Sequence, residues 1–140
     1  MVLVFDEDCG TGIPKALWLV GYTTHNLFEL GWSGKKDIEW LPWVGQNGWL
    51  LFSYNRKQLE VPTERNAIID NRVGVVYLTT GEESAPRVLL LLLKKWGALE
   101  LLDDGIERPF VRFLHPNGHI TETYRGVQLP QSQWKQRKLL

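Results

Sequence analysis

Short apolar runs alternate along the chain with longer segments in which apolar residues recur every three or four positions. Three runs are clear, at Met1–Phe5, Trp49–Phe52 and Gly74–Leu78, and the first two end directly in polar residues. Continuous runs of this length are typical of strands buried on both faces, as in a parallel sheet. The more polar segment Thr23–Leu27 is predicted as a further strand. The pattern therefore indicates four strands before the last third of the chain.

Segments whose apolar residues recur at helical spacing lie between these strands and after them. Gly21 and Gly45 mark predicted helix ends, and Pro86 falls in the first turn of a long helix. The predicted helices run from Pro14 to Gly21, Asp37 to about Gly45, Pro62 to Asp70, Pro86 to Trp96 and about Ala98 to Leu102. This alternation of strands and helices predicts a three-layer α/β fold around a mostly parallel central sheet with right-handed crossovers.

The last third of the chain changes character. Phe110–Leu114 and His119–Tyr124 are predicted to form an appended C-terminal β-hairpin, because Asn117-Gly118 between them is the strongest short turn signal in the chain. This hairpin is either an extra edge or partner surface, or a plain extension of the sheet. From Gln128 onward Gln, Lys and Arg dominate, which predicts a frayed end.

The composition is that of one ordinary globular domain. The chain has 140 residues, of which 44% are hydrophobic, enough for a proper core. We expect a single domain over residues 1–126, with its core at about 2–104 and the hairpin at about 109–124, and then a flexible tail at 127–140. Lys plus Arg and Asp plus Glu balance at 16 each, so no global basic field indicates a nucleic-acid partner, although a local patch can still bind RNA.

Two features bear on the compartment. Cys9 is the single cysteine, which excludes an intramolecular disulfide and fits a reducing cytoplasm, and we expect it to be a passive thiol. The longest apolar run, Val88–Leu93, is far shorter than the ~20 residues of a membrane span. We therefore expect a cytoplasmic protein without membrane contact, in which Val88–Leu93 is a helix buried all round.

Three acids follow the first strand directly. Asp6, Glu7 and Asp8 repel one another and add nothing to packing, so they indicate either a metal ion that neutralises them or a solvated acidic turn. On this stretch alone the two interpretations are about even. The glycine-containing turn at residues 10–12, which precedes a helix, allows phosphate binding as a third interpretation. That turn lacks a complete phosphate-loop pattern, and the flanking acids repel phosphate.

Two more oxygen donors are expected at the same edge of the sheet, because ligands in open α/β sheets bind beyond the carboxyl ends of the strands. Asp37 opens the second predicted helix, and Asn55 follows the third strand. Helix capping explains Asp37 alone, and a turn explains Asn55 alone. Together with Asp6 they offer the oxygen ligands that suit Mg²⁺ or Mn²⁺. Asp6, Asp37 and Asn55 are the predicted catalytic residues.

The same residues carry a resemblance to a known family. Three segments resemble parts of PIN-like domain proteins, which include the VapC-type toxins of bacterial toxin–antitoxin pairs. VLVFDEDCGTGIPKAL resembles the first strand, its acidic end and the first helix. DIEWLPWVGQNGWLLFSYNRK resembles the Asp-led helix with the turn and strand after it, and ERNAI resembles the next helix. The resemblance covers about residues 2–80.

The resemblance implies a nuclease that uses one or two divalent ions, Mg²⁺ or Mn²⁺, to cut an RNA phosphodiester. The implied metal ligands are Asp6, Glu7, Asp8, Asp37 and Asn55. The implied substrate-binding residues are Ser53, Arg56 and Lys57. Ser53 stands where the family usually has Thr, and the two basic side chains can hold phosphate.

One position departs from the family pattern. Asn55 stands where the family usually has Asp; the amide keeps a carbonyl ligand but loses a negative charge and cannot accept a proton. Glu39, Glu64 and Asp103 are open as the fourth acid. The leading hypothesis is a metal-dependent ribonuclease, the homodimeric toxin of a toxin–antitoxin pair, with RNA as substrate and an antitoxin protein as partner. The alternative is a catalytically inactive PIN-like fold that binds RNA or protein.

Overall fold

The computed structural model of this chain describes residues 1–129 and shows a six-stranded sheet. The strands are β1 (Leu3–Phe5), β2 (Thr24–Asn26), β3 (Leu50–Ser53), β4 (Gly74–Leu78), β5 (Phe110–Leu114) and β6 (Ile120–Thr121). They lie in the order β2-β1-β3-β4-β5-β6, and all neighbours are parallel except β5 and β6. The predicted α/β fold with a mostly parallel central sheet is confirmed.

Four helices cover the two faces of this sheet. They are α1 (Gly12–Leu19), α2 (Asp37–Gln46), α3 (Pro62–Asp70) and α4 (Ala85–Gly105). Successive side chains of a strand point to opposite faces, so Leu3 and Phe5 of β1 pack in the layer with α1 and α4. Val4 packs in the layer with α2 and α3. Both faces of the sheet are therefore buried, which explains the continuous apolar runs.

The helix between β4 and β5 differs from its prediction. We predicted two helices, Pro86–Trp96 and about Ala98–Leu102, but α4 is a single helix that continues through Gly97. Gly97 faces open space, where a glycine costs only about 1 kcal/mol relative to alanine. Trp96 and Leu99 on either side are buried against the sheet, and their burial outweighs that cost.

Two other helix predictions also need adjustment. The first helix begins at Gly12, before Pro14, because proline is tolerated within the first turn. The segment Val88–Leu93 is not buried all round, since Leu90 is 52% exposed and Leu93 is 38% exposed. α4 therefore buries one face against the sheet and leaves an apolar face uncovered in the described part of the chain.

The predicted hairpin is present, turning at Asn117-Gly118, where Gly118 has a φ of 91°. Its first strand, β5, is also the fifth parallel strand of the central sheet. Its second strand is only two residues long, and the chain then turns back in a separate bridge between Tyr124 and Val127. Residues 130–140 fall outside the described residues, and with them most of the segment 127–140 that we predicted as a flexible tail.

The parallel register decides which side chains meet at the edge of the sheet. Phe5 at the end of β1 pairs with Asn26 of β2 and with Phe52 of β3. The residues that follow, Asp6 after β1 and Asn55 after β3, therefore lie at the same carboxyl edge. Within residues 1–129, no helix is long and apolar enough to cross a membrane.

Candidate active site

A cavity of about 720 Å³ opens at the carboxyl edge of the sheet. Its lining comes from five places: the end of β1, the start of α2, the segment after β3, strand β5 at Phe113, and the turn after β6. The charged residues of this lining are Asp6, Glu7, Asp8, Asp37, Arg56, Lys57, Glu60 and Arg125. Asn55, Tyr54 and Tyr124 also line it. The structure thus brings Asp6, Asp37 and Asn55, the three predicted catalytic residues, to one cavity.

Asp6 is the most buried acid of the cavity, with 7% of its surface exposed. It caps a short 3-10 helix, Glu7–Cys9, and its Oδ1 accepts a hydrogen bond from the Glu7 backbone N–H at 2.7 Å. Its Oδ2 accepts a hydrogen bond from the Ser53 hydroxyl at 2.9 Å. These two bonds fix the orientation of the carboxylate, but both partners are neutral.

Ser53 lies beneath Asp6 and is fully buried. Its hydroxyl donates to Asp6 and accepts from the Asn55 backbone N–H at 2.9 Å. Ser53 is one of the predicted substrate-binding residues, and it is not among the residues that line the cavity. Its hydroxyl therefore links Asp6 to the backbone of the segment after β3 and orients the carboxylate.

The electrostatics of the cavity show excess negative charge. Burial, together with the charges of Asp8 and Asp37, raises the pKa of Asp6 from 3.8 to about 7, although the hydrogen bonds from Ser53 and from the Glu7 backbone N–H act to lower it. Burial also raises the pKa of Asp8. Carboxylates that share a poorly solvated site resist ionisation together, which is a common feature of functional sites.

Asp37 lies in the first turn of α2, where a negative charge is stabilised by the helix dipole. Its Oδ2 accepts a hydrogen bond from the Gln58 side-chain amide at 2.8 Å, and the Tyr77 hydroxyl donates to the Gln58 carbonyl oxygen at 2.7 Å. Gln58 and Tyr77 are both fully buried. Because an ionised carboxylate only accepts, Gln58 must direct its NH₂ group to Asp37 and its oxygen to Tyr77.

The remaining residues of the acidic turn are partly engaged elsewhere. Glu7 accepts a hydrogen bond at Oε1 from the Gly34 backbone N–H at 2.9 Å, which ties down the loop before α2. Cys9 is buried, and its thiol lies 3.4 Å from Asp8 Oδ1. Burial and the neighbouring acids raise the pKa of this thiol, so it stays protonated and unreactive.

The three candidates for a fourth acid lie in different environments. Glu39 accepts a hydrogen bond from the Lys36 backbone N–H at 2.8 Å and so caps α2. Asp103 pairs with Arg108 at the opposite edge of the sheet. The pKa of Glu64 is raised by burial and by the charge of Asp37, which places it near the cavity. Glu60, which sequence reasoning missed, lines the cavity itself.

The basic side of the cavity includes residues that no sequence signal singled out. Arg56 and Lys57, which are predicted substrate-binding residues, line it. Arg56 lies over the ring of Tyr124, with its guanidinium carbon 4.6 Å from the ring centroid. Arg125 also lies against this ring, at 5.2 Å. Tyr124 and Arg125 are distant from the acids in sequence, so only the folded chain brings them here.

The oxygen donors of the cavity are of the type that binds a divalent ion. Within residues 1–129, no group of three or more His, Cys, Asp and Glu side chains is close enough together to hold a metal ion. Mg²⁺, however, commonly uses only one or two carboxylates and keeps several waters. Asp6 and Asp37 offer such a pair of hard oxygen donors to one cavity, Asn55 adds an amide oxygen, and no ion pair neutralises Asp6 within the described residues. The donor set fits Mg²⁺ or Mn²⁺.

The fold and site define an α/β protein with an acidic cavity at the carboxyl edge of a parallel sheet. The chain belongs to the PIN-like domain family, whose family model matches residues 1–80, more than half of the 140 residues. PIN-like domains form a superfamily of nucleases that generally depend on divalent metal ions. No curated protein and no solved structure matches the chain. The matched segment contains every predicted site residue, whereas Tyr124 and Arg125 lie outside it.

Proposed function

We propose that this protein is a metal-dependent ribonuclease of the PIN-like type and that the acidic cavity is its active site. The observation that carries the proposal is Asp6, a buried carboxylate whose charge is opposed by Asp8 and Asp37 and is not neutralised by any described cation. Such an arrangement costs stability, and a bound divalent ion removes the cost.

Each residue has a role in this proposal. Asp6 and Asp37 would hold the ion, with the Asn55 amide oxygen beside them, and Ser53 and Gln58 hold the two carboxylates in place. A bound Mg²⁺ or Mn²⁺ would lower the pKa of a water and stabilise charge on the phosphate oxygens.

In this proposal the surrounding side chains accept the proton of the attacking water and bind the phosphate of the RNA. Asp8 has a raised pKa and lines the cavity, so it is suited to accept the proton of the attacking water. Glu7 contributes negative charge at the rim. Arg56 and Lys57 bind phosphate oxygens of the RNA.

Calorimetric titration with Mn²⁺ tests the metal site. We expect saturable binding to the wild type, loss of binding in Asp6→Asn, and unchanged binding in Asp104→Asn, which removes an exposed acid on α4. Cleavage of a labelled RNA with Mn²⁺ should follow the same order. Absence of saturable binding to the wild type would remove the main support for a metal-dependent nuclease.

A second function, an inactive PIN-like fold that binds RNA or protein, is favoured by one observation. Asn55 lies in the cavity lining where the family pattern has an acid. The variant Asn55→Asp separates the two functions. In a weakened nuclease it restores a charge and should raise metal-dependent cleavage, whereas cleavage that stays at background in both proteins supports the binding module.

The finer part of the proposal is that this ribonuclease is the cytoplasmic toxin of a toxin–antitoxin pair. It is supported by the resemblance of the first half of the chain to VapC-type toxins and by the single, buried cysteine. Induced expression in bacteria should arrest growth, and Asp6→Asn should relieve the arrest. Growth unaffected by the wild type, at equal protein levels, would contradict the toxin role.

We also propose a homodimer. An apolar surface on α1 and α4 remains uncovered in the described part of the chain: Leu19 is 73% exposed, Leu90 is 52% exposed and Leu101 is 74% exposed. Exposed apolar area of this kind is common at protein interfaces. Light scattering after gel filtration should give a dimer for the wild type and a monomer for the double variant Leu90→Glu, Leu101→Glu. A monomeric wild type would overturn this part.

A further inference from the structure

The turn after β6 places Arg125 in the cavity. The backbone N–H groups of Tyr124 and Val127 each donate to the other's carbonyl, at 3.0 and 2.9 Å, which closes a two-residue hairpin. Its central residues, Arg125 and Gly126, have φ angles of 50° and 77°. Positive φ at both positions defines a type I′ turn, which favours Asn or Gly at the first position. Arg125 adopts a backbone conformation that is uncommon for its residue type.

The two guanidinium groups next to this turn share one aromatic ring. Arg56 and Arg125 lie 4.6 and 5.2 Å from the ring centroid of Tyr124. The ring is itself positioned by His115, whose ring centroid lies 5.4 Å away in an edge-on arrangement, and by Phe113 at 5.9 Å. Stacking on a fixed ring restrains both guanidinium groups before any ligand binds.

Neither of these guanidinium groups is neutralised within the described residues. No carboxylate oxygen of residues 1–129 lies within 4.0 Å of a nitrogen of Arg56 or Arg125. The other arginines of β5 and its approach differ, since Arg108 pairs with Asp103 and Arg112 pairs with Glu122. The cavity therefore has two restrained positive groups that are free to bind an anion.

We propose that Arg56, Tyr124 and Arg125 form a phosphate-binding site that holds the RNA strand next to the acidic residues. The assignment rests on the proposed ribonuclease function and adds a binding site to it. A phosphate offers several acceptor oxygens, so one group can bridge two guanidinium forks. Since the site shares the cavity with Asp6 and Asp37, a strand bound there continues to the acids.

The acidic residues of the cavity repel an RNA strand, and the proposed phosphate site offsets this repulsion. Among the described residues, five acidic and three basic side chains line the cavity, so an RNA strand meets net negative charge from them unless the acids are neutralised. Two of the three basic groups belong to the Tyr124 site. We infer that this site supplies the attraction that brings the strand past the acidic residues, and that it acts on binding more than on the chemical step.

The test is fluorescence anisotropy with a short labelled single-stranded RNA in the presence of Ca²⁺, with the RNA checked for integrity after each titration. Arg125→Gly should weaken binding about tenfold, the loss of one charge-assisted contact. It should also lower the slope of log K against log salt by about 0.7, the value of one phosphate contact on a single strand. Glycine favours a positive φ, so this variant should melt no lower than the wild type.

Three further variants complete the test. Arg56→Gln should resemble Arg125→Gly, and Tyr124→Leu should weaken binding more than Tyr124→Phe, which keeps the ring. Arg87→Gln removes an exposed arginine on α4, away from the cavity, and should leave binding unchanged. Binding by Arg125→Gly and Arg56→Gln equal to that of Arg87→Gln would overturn the proposal. Displacement of the RNA by inorganic phosphate at comparable concentration would assign the site to free phosphate, which would also overturn it.

These experiments distinguish failure of the proposed phosphate site from failure of the proposed ribonuclease function. If the wild type cleaves RNA with Mn²⁺ but the Arg125 and Arg56 variants bind and cleave normally, the phosphate site is wrong and the nuclease stands. If the wild type binds RNA through these residues but shows no metal-dependent cleavage, the nuclease is wrong and the phosphate site stands.

Discussion

Two aspartates at opposite edges of the same sheet have opposite environments. At the amino edge, Asp103 lies 2.6 Å from an Arg108 nitrogen, and its second oxygen lies 3.9 Å from the amino group of Met1. At the carboxyl edge, Asp6 has two neutral hydrogen-bond donors and two acidic neighbours. Both side chains are largely buried, yet within residues 1–129 positive charge pairs with Asp103 and not with Asp6.

The difference distinguishes a carboxylate that stabilises the fold from one that is a candidate for function. Asp103 joins the end of α4 to the start of β1 and to the approach of β5, so its ion pairs stabilise the fold. Asp6 is held in place by Ser53, but its negative charge is destabilising in the absence of a cation. A site that keeps such a cost is a candidate for ligand binding, because the ligand recovers the lost stability.

The largest expected effect is the pH dependence of stability that Asp6 causes. Its pKa is about 7 in the folded protein against 3.8 ordinarily, so between these values the folded state keeps a proton that the unfolded state releases. The free energy of unfolding should therefore fall as pH rises from about 4 to about 7, by at most roughly 4 kcal/mol from this group, and level off above. Urea unfolding of the metal-free protein at several pH values measures it.

The control for this experiment is Asp6→Asn, which should flatten the profile. The variant should equal or exceed the wild type in stability at pH 8, where Asp6 is charged, and lose that advantage below pH 5. Parallel profiles for the two proteins would show that Asp6 is not the destabilising charge, and would remove the contrast with Asp103.

A smaller effect is expected at the opposite edge. Asp103→Asn leaves Arg108 without its carboxylate, and we expect a loss of about 2 kcal/mol, less than the 3–5 kcal/mol of fully buried pairs because both side chains are partly exposed. Urea unfolding measures the loss, and Mn²⁺ titration should show unchanged affinity. A loss of metal affinity in this variant would show that the two edges are coupled through the sheet.

The smallest effect concerns the buried support of Asp37. Gln58→Leu removes the hydrogen bond that orients Asp37, and should lower Mn²⁺ affinity about tenfold, as is usual for residues behind metal ligands. Tyr77→Phe keeps Gln58 but frees its amide to rotate, so it should act in the same direction and less strongly. Reduced stability with unchanged Mn²⁺ affinity in both variants would mean that the pair serves only the core.

The pattern of strands and helices was predictable because it depends on local sequence. The limits of α3 and β4 agree with those predicted, since proline starts the helix and a continuous apolar run forms the strand. The break predicted at Gly97 was wrong, because propensity at one exposed glycine is weaker than the burial of Trp96 and Leu99. Local signals fail where tertiary packing opposes them.

The same local reasoning predicted the position of some residues of the site. Polar residues directly after parallel strands must lie at the carboxyl edge, so the convergence of Asp6 and Asn55 was deducible from the chain direction. Gln58 and Tyr77 gave no such signal, because a buried glutamine acquires its role only from the partners on either side. Arg125 and Tyr124 gave none either, since a short turn after a hairpin has no marker for the cavity it faces.

The sequence by itself determined the family, the layered α/β architecture and the edge where the acids gather, since apolar periodicity and strand direction are local properties. Only the tertiary structure decided which carboxylates are paired and which are not. It alone placed Ser53 beneath Asp6 and brought Arg125 to Arg56 around one tyrosine ring. Such contacts join segments far apart in the chain, and their distances depend on how the whole core packs.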